Sequence, residues 1–495
     1  MFPALDRVIN MAEIHFYYKA HLKYFYFKFL LTCNYLLEYI LNTTTMKKSS
    51  LFILSILIAM TSIAQQVKTP AAAVSKGLTK EEKQVMAWID AHMPQAIELL
   101  KESVNINSGT LNIEGVKKVG ALFTKEFEKA GFATEWVTMP DSIKRAGHLV
   151  ASRRGAAASS NSSSSKKGKR LFLIGHLDTV FEPDMPANPF TMLNDSTATG
   201  QGVNDMKGGD VVVIMALQAL EQAGLLKNTD ITAYFTGDEE HAGYPREVTR
   251  GDFINRAKQA DIALAFEGAN GLNSVATGRR GASGWRLDVT GKTGHSSGVF
   301  TPGAGYGAIF EAARILNQFR ETLNTEKYLT FNPGIIIGGS DIEYNSATSK
   351  GAAIAKTNII SPAVTVTGDL RFLSEDQKDR ARVKMKEIVA QNLAQTSAKI
   401  SFVDGIPSMA PTEGNNQVLS VINSISMDMG VGATVAGDPG SRGAGDISYV
   451  AAYVDCIDGL GASGRGAHAP GETIHLNQLP FLIKRAALTI YRLSR

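Results

Sequence analysis

Between Thr79 and Lys101 apolar residues return at helical spacing in TKEEKQVMAWIDAHMPQAIELLK, behind a threonine followed three residues on by a glutamate. That pattern predicts an opening helix with a capping box at its start. Further along, the apolar run LFLIGHLDTV (171–180), the helical run DVVVIMALQALEQAG (210–224) and the strand-like runs DITAYFTGDEE (230–240) and DIALAFEG (261–268) alternate. Alternation of this kind predicts βαβ units, hence an α/β domain with a mostly parallel sheet flanked by helices and a site beyond the strand ends.

Past the glycine-rich turn near Arg279 the order changes. WRLDVTG (285–291) reads as a strand, GAIFEAARILNQFRETL (307–323) as a helix, LTFNPGIIIGG (329–339) and AVTVTGDLRF (363–372) as strands. A helix capped at Ser374 with Gln377 and a strand AKISFVD (398–404) complete a βαββαβ order, a ferredoxin-like α+β unit. Helix and strand patterns then resume from about Thr412. The predicted organisation is a discontinuous larger domain, 79–283 and 406–495, carrying an inserted α+β domain, 284–405. Within the first part, residues 152–169 belong to the low-complexity run ASRRGAAASSNSSSSKKGKR, read as a disordered hairpin insertion between two strands.

The amino terminus has its own logic. Met46 opens Lys47-Lys48, an apolar run from Leu51 to Met60 and then Ser62-Ile63-Ala64, the pattern of a secretory signal peptide (46–64) cleaved after Ala64. The run is shorter than the ~20 residues of a spanning helix, so no stable membrane anchor is expected after cleavage, and the mature chain is expected in the periplasm or outside the cell. Residues 1–45 then read as an upstream extension from a mis-assigned start. Without residues 1–64 the chain carries 45 basic against 44 acidic residues. The pI near 8.7 thus reflects the leader, and nothing is left as an electrostatic footprint for nucleic acid. Cys456 alone remains of the two cysteines, in an apolar run, and is expected to be buried and inert.

Chemistry gathers at the predicted strand ends. In LIGHLDTV, His176 and Asp178 lie two apart and face one side, with the carboxylate placed to orient the imidazole. Asp205 in GQGVNDMKGG follows a glycine-rich turn and precedes a helix, which it could equally cap. In AYFTGDEEHAG three acids end a strand, and adjacent Glu239 and Glu240 suit a division of labour between a base and a metal ligand. Glu267 closes DIALAFEG and His468 lies in GASGRGAHAPGE. Each has a plainer reading alone; together they form the nitrogen and oxygen set that zinc accepts.

In order, GHLDTV, GQGVNDMKGG, TGDEE, FEG, GHSSG and GAHAPGE resemble the motif series of the glutamate carboxypeptidase and aminoacylase family of zinc metallopeptidases, which has succinyl-diaminopimelate desuccinylase-like members. The resemblance spans roughly 80–495 and implies that the inserted domain, 284–405, is a lid and dimerisation domain. It implies a zinc-exopeptidase fold and two Zn2+ ions, with Co2+ or Mn2+ as substitutes: Asp205 bridging, His176 and Glu267 on one ion, Glu240 and His468 on the other. It also implies Glu239 as general base, Asp178 as orienter of His176, and a cis peptide at Asn204-Asp205. His295 in TGKTGHSSG would reach across a homodimer to the oxyanion, or else bond within its own turn. Asn358 in KTNIISP and Arg371 in GDLRF would grip substrate, although Arg371 could equally form a structural ion pair. Ala444-Gly445-Asp446 departs from the family's commoner loop and leaves substrate contacts there open.

The expected function is amide hydrolysis by a secreted carboxypeptidase acting on peptides or N-acyl amino acids, for Glu267 in place of aspartate points by resemblance away from the tripeptide aminopeptidases. Alternatives are a dipeptidase, aminopeptidase or N-acyl amino acid deacylase, and an inactive peptide-binding homologue, which would be expected to lack ligands or base.

Overall fold

A computed structural model describes residues 77–155 and 168–495. The leader, its cleavage site and most of the low-complexity run lie outside the described residues. Helix α1 (Lys80–Ala91) opens as its sequence predicts: Thr79 Oγ1 accepts from the Glu82 amide at 3.2 Å while Glu82 accepts from the Thr79 amide at 2.9 Å. Helices α2 (Met93–Asn105) and α3 (Ile113–Lys129) follow, then strands β1 (Ala133–Val137), β2 (His148–Arg153) and β3 (Leu171–His176). A small pair, β4 (Thr191–Asn194) and β5 (Thr197–Thr199), precedes helix α4 (Lys207–Gln222). Strand β6 (Ile231–Thr236), the short helices α5 (Arg246–Thr249) and α6 (Gly251–Ala257), and strands β7 (Ile262–Ala265) and β8 (Ser274–Val275) complete this part.

The middle of the chain gives β9 (Gly281–Gly291), α7 (Gly307–Leu323), β10 (Thr330–Gly339), β11 (Asp341–Asn345), β12 (Lys350–Ile354), β13 (Ala363–Phe372), α8 (Glu375–Val389) and β14 (Thr396–Asp404). The last part gives α9 (Glu413–Asp428), β15 (Val435–Ala436), β16 (Asp455–Ile457), β17 (Gly464–Arg465), β18 (Thr473–His475) and α10 (Leu479–Leu493).

The main sheet runs β1-β2-β6-β3-β7-β16. Its central pairs β6·β3, β3·β7 and β7·β16 are parallel, while β1·β2 and β2·β6 are antiparallel. All six residues of β3 are buried, as a parallel strand covered on both faces requires. The apolar helix α4 packs between this sheet and α1, α2, α3 and α10, so Val211, Val212, Val213 and Ile214 are all fully buried. Cys456 is buried on β16, and burial pushes its thiol well above the ordinary value.

One expectation fails here. Strands β2 and β3 do not form a hairpin, because β6 lies between them in the sheet. Sequence adjacency favours pairing, but β2 pairs antiparallel with β1 and β6 and leaves the centre to the parallel trio. Ser152 and Arg153 of the expected insertion belong to β2; residues 156–167 are outside the described residues.

The second sheet runs β10-β13-β9-β14 and is antiparallel throughout, the strand order of a ferredoxin-like unit. Burial alternates along β9, and Trp285, Leu287 and Val289 pack with Ile315, Phe319 and Met385 of α7 and α8. The β11–β12 hairpin, largely exposed, was not legible in the sequence because β12 is exposed throughout and β11 offers only the half-buried pair Ile342 and Tyr344.

At Gly175, one residue before the end of β3, an added Cβ would lie 2.2 Å from Asp210 Oδ1 on α4 and 2.8 Å from the Phe235 ring. Gly175→Ala is therefore expected to cost about 1–3 kcal/mol by overpacking, seen as a lower denaturant midpoint; an unchanged midpoint would mean that Asp210 yields freely.

Candidate metal centre

Three parallel strands end together, and each delivers a polar residue to the same spot. His176 is the last residue of β3, Glu239 and Glu240 follow β6 after two residues, and Glu267 follows β7 after one. Asp205 comes from the turn that starts α4, and His468 from the loop between β17 and β18, where its backbone adopts φ +66°. His176 Nε2 lies 3.3 Å from Asp205 Oδ1 and 3.7 Å from Glu267 Oε1. His468 Nε2 lies 3.2 Å from Asp205 Oδ2 and 3.1 Å from Glu240 Oε2. The Asp205 carboxylate thus presents one oxygen to each imidazole. Donor atoms of His176, Asp205 and Glu240, and separately of His176, Glu239 and Glu267, lie within 4.8 Å of one another.

Electrostatics strain this cluster. Burial raises the Glu239 carboxyl well above its ordinary range, with Glu267 adding to the effect. Burial and then Asp205 push Glu267 up to about 8, and burial with Asp205 raises Glu240 although His468 opposes it. Burial would raise Asp205 as well, but hydrogen bonds from His176 and His468 outweigh it and hold this carboxylate well below its usual range. Asp205 and Glu240 push His468 up to about 11, and at His176 the surrounding carboxylates overcome the opposing effect of burial. Among the described residues no lysine or arginine forms an ion pair with Asp205, Glu239, Glu240 or Glu267, and Glu240 Oε1 is buried without a hydrogen-bond partner. Two imidazoles, crowded carboxylates and an orphaned buried oxygen fit divalent cations of the zinc type.

The surrounding residues refine two expectations. Asp178 meets His176 Nδ1 first through its backbone carbonyl, at 3.0 Å, with the carboxylate at 3.5 Å. Strand β3 ends at His176, so Asp178 is not in strand register with it. Its carboxylate instead accepts from the amides of Glu239 and Glu240, at 3.0 and 3.1 Å, and from Thr110 Oγ1 at 2.6 Å. The cis peptide lies at Asp205–Met206, after the aspartate and not at Asn204–Asp205. The amides of Asn204 and Asp205 both donate to Glu472 Oε1, at 2.7 and 2.8 Å, and that of Gly202 to Oε2 at 3.2 Å.

Glu472 ends the GAHAPGE motif; its buried carboxylate, raised by that burial to about 7, is the mould for the Asp205 turn. The signal available in the sequence was an acid beside Pro470 and Gly471, which names no partner. Asp446 also points inward: its carboxylate accepts from Thr236 Oγ1 and pairs with Arg250.

The inserted unit's candidates stand apart from this cluster. His295 Nδ1 lies 2.8 Å from Ser297 Oγ and accepts from the Ser297 amide. The Asn358 carbonyl accepts from Ser296 N at 2.9 Å. Arg371 Nε donates to Asp369 at 2.7 Å. Among the described residues none of the three bonds to the cluster, and these local contacts are the plainer readings offered for His295 and Arg371.

The profile of Peptidase family M20/M25/M40 matches residues 172–492. The chain is 26% identical over 439 residues to carboxypeptidase G2 of Pseudomonas sp. (strain RS-16), covering 88% of this chain and 98% of that protein. It is 26% identical over 317 residues to a succinyl-diaminopimelate desuccinylase of Psychrobacter sp. (strain PRwf-1), covering 62% and 73%. In fold it is similar to the aminopeptidase PepT of Bacillus cereus, with TM-score 0.62 and 17% identity over 81% of this chain and 99% of that one. It is likewise similar to a dinuclear metal-binding peptidase of Bacillus subtilis, with TM-score 0.56 and 14% identity over 82% and 99%.

The charge balance predicts a pH dependence of the metal-free protein. Glu239, Glu240 and Glu267, raised on folding, each lower stability as pH climbs from about 4.5 towards the folded value, about 8 for Glu267. His176 and His468, also raised, contribute stability that is complete below about 6.5 and lost as pH rises, towards about 11 for His468. Asp178 and Asp205 are depressed, so their contribution is constant above about 3.8. Within the cluster all shifts active between pH 5 and 8 have one sign; His148 and Lys207, lowered by burial, act the other way but are outnumbered, so the chelated protein should melt lower at pH 8 than at pH 5. Added zinc should reverse the trend, because deprotonated ligands bind it better. A chelated protein that melts higher at pH 8 would contradict this charge balance.

Proposed function

The chain belongs to Peptidase family M20/M25/M40, a family of metal-dependent peptidases and amidohydrolases, and from that premise we propose that it is a dinuclear zinc carboxypeptidase that releases a C-terminal amino acid from peptides or N-acyl amino acids. The single observation that carries the proposal is the Asp205 carboxylate set between His176 and His468, with Glu267 and Glu240 on the respective sides. The likeness to carboxypeptidase G2 over nearly the whole of that protein supports the substrate class. The aminopeptidase likeness, at 17% identity, concerns the fold alone.

In this reading His176, Asp205 and Glu267 hold one ion, and Asp205, Glu240 and His468 hold the other. Zinc bound there supplies positive charge that polarises the scissile carbonyl and makes water acidic near neutrality. Glu239 takes the proton of the attacking water and returns it to the departing amine, so a carboxylate and an amine leave. Its burial suits the task, because a carboxyl raised towards neutrality can both accept and give up that proton at working pH. Asp178 holds the Glu239 and Glu240 amides and keeps base and ligand pointing apart.

Residues 284–405 act as lid and dimerisation domain in the same reading. Ile309, Phe310, Ile336 and Ile354 are each more than half exposed on that unit, which supports a homodimer. His295 of one subunit would then serve the partner's centre, and Asn358 and Arg371 would grip the substrate carboxylate, a group that a guanidinium matches with its fork. The leader at 46–64 would export the protein. Among the described residues no helix is long and apolar enough to cross a membrane.

Glu239→Gln should lower kcat by at least the 10²–10⁴-fold typical of a lost general base while metal content stays near two per chain. The check is elemental analysis beside assays of peptidyl-glutamates, N-acyl amino acids and dipeptides, with and without chelator. Full activity of the variant removes Glu239 from the mechanism, and chelator-insensitive hydrolysis removes the zinc.

A further inference from the structure

Arg250, at the junction of α5 and α6, is only 1% exposed. A guanidinium does not escape burial by losing its proton, so its N–H groups and its charge must both be met. Four of its five N–H groups are engaged. Nε donates to Asp446 Oδ1 at 2.8 Å, Nη1 to Asp238 Oδ1 at 2.5 Å and to the Thr249 carbonyl at 3.1 Å, and Nη2 to the Asp238 carbonyl at 3.1 Å.

Both aspartates are in turn tied to the frame behind the metal centre. Asp446 Oδ2 accepts from Thr236 Oγ1, at the end of β6, at 2.6 Å. Asp238 Oδ2 accepts from the Gly243 amide at 2.8 Å and so closes the turn 238–243. His148 on β2 accepts from the Gly237 amide at 3.1 Å and donates to the Thr249 carbonyl at 3.1 Å. Arg250, Asp238, Asp446, Thr236 and His148 are all buried.

One planar cation therefore fastens three segments that are remote in sequence: the turn carrying Glu239 and Glu240, the Ala444-Gly445-Asp446 loop and the α5–α6 junction. Asp178 grips the same turn from the other side through the amides of Glu239 and Glu240. We propose that Arg250 is a positioning residue for the hydrolysis: its fork, with Asp238 and Asp446, sets where the Glu239 carboxylate stands, and the departure of the 444–446 loop from the commoner family pattern leaves that task in place. A buried ion pair is poor support for stability but a good device for specifying geometry, and the planar fork is what lysine, a point charge, cannot reproduce. The inference rests on the hydrolase reading given above.

The test compares Arg250→Lys and Asp446→Asn with wild type, all zinc-loaded, for kcat, KM, metal content, far-UV circular dichroism and amide hydrogen exchange. Arg250→Lys should keep the spectrum, the metal and a near-wild-type KM. Its kcat should fall on the order of 10²-fold, as a small misplacement of a reacting group does, and amides 237–243 should exchange faster while β3 and β6 stay protected. Asp446→Asn, which keeps the shape but removes one charge, should show a smaller change of the same kind. Wild-type kcat in Arg250→Lys, or a change in KM alone, overturns the inference. If Arg250→Lys does not fold, Asp446→Asn decides by the same criteria. If the wild-type protein shows no chelator-sensitive hydrolysis, the parent reading fails instead; unchanged exchange at 237–243 in the variants then overturns the positioning role as well.

Discussion

Repulsion between buried carboxylates is the constraint around which this structure is organised. Asp205, Glu239, Glu240 and Glu267 converge at one end of the sheet without, among the described residues, a lysine or arginine paired to any of them, and the carboxyl pKa values of the three glutamates are raised first by burial, with neighbouring carboxylates adding to it. Such an arrangement is relieved either by protonation of the carboxyls or by cations, and the two imidazoles flank the space that cations would fill. The Asp205 carboxylate, with an oxygen turned to each histidine, is the one group common to both halves.

Holding like charges together demands a frame that does not yield, and the frame is built largely from backbone amides. Asp178 gathers the amides of Glu239 and Glu240, and Glu472 gathers those of Gly202, Asn204 and Asp205. Each of these carboxylates spends its lone pairs mostly on main-chain donors, with Thr110 Oγ1 a further donor to Asp178, which fixes a turn without adding another free charge to the cluster. Arg250 meets the turn 238–243 from behind. The parallel trio β3, β6 and β7 supplies the common edge from which these turns depart, and the packing of Gly175 against Asp210 shows how little slack lies beneath His176.

Much of this was legible from residue order. The helix cap at Thr79, the parallel centre of the sheet and the βαββαβ order of the inserted unit follow from spacing and periodicity, which are local properties. The six residues that meet at the centre could be nominated because ligand chemistry restricts the choice to histidine and carboxylate at strand ends. The hairpin between β2 and β3 was misread because pairing partners are chosen across the sheet, and β6 takes the place that sequence adjacency suggests. The exposed hairpin β11–β12 escaped notice because Ile342 and Tyr344 are the only alternating apolar pair in β11 and β12 is exposed throughout, too little for a hydrophobic period.

By itself, then, the sequence determined which groups are available to bind metal and which elements carry them, since both depend on residue type and local pattern. Only the tertiary structure decided what each carboxylate touches. Asp178 addresses His176 through its carbonyl and spends its carboxylate on the glutamate turn, Glu472 moulds the Asp205 turn across 267 residues of chain, and Arg250 joins Asp238 to Asp446, which lies 196 residues beyond the arginine. Hydrogen bonds and ion pairs over such separations depend on distances of a few ångströms that only the folded chain sets, and residue order carries no trace of them.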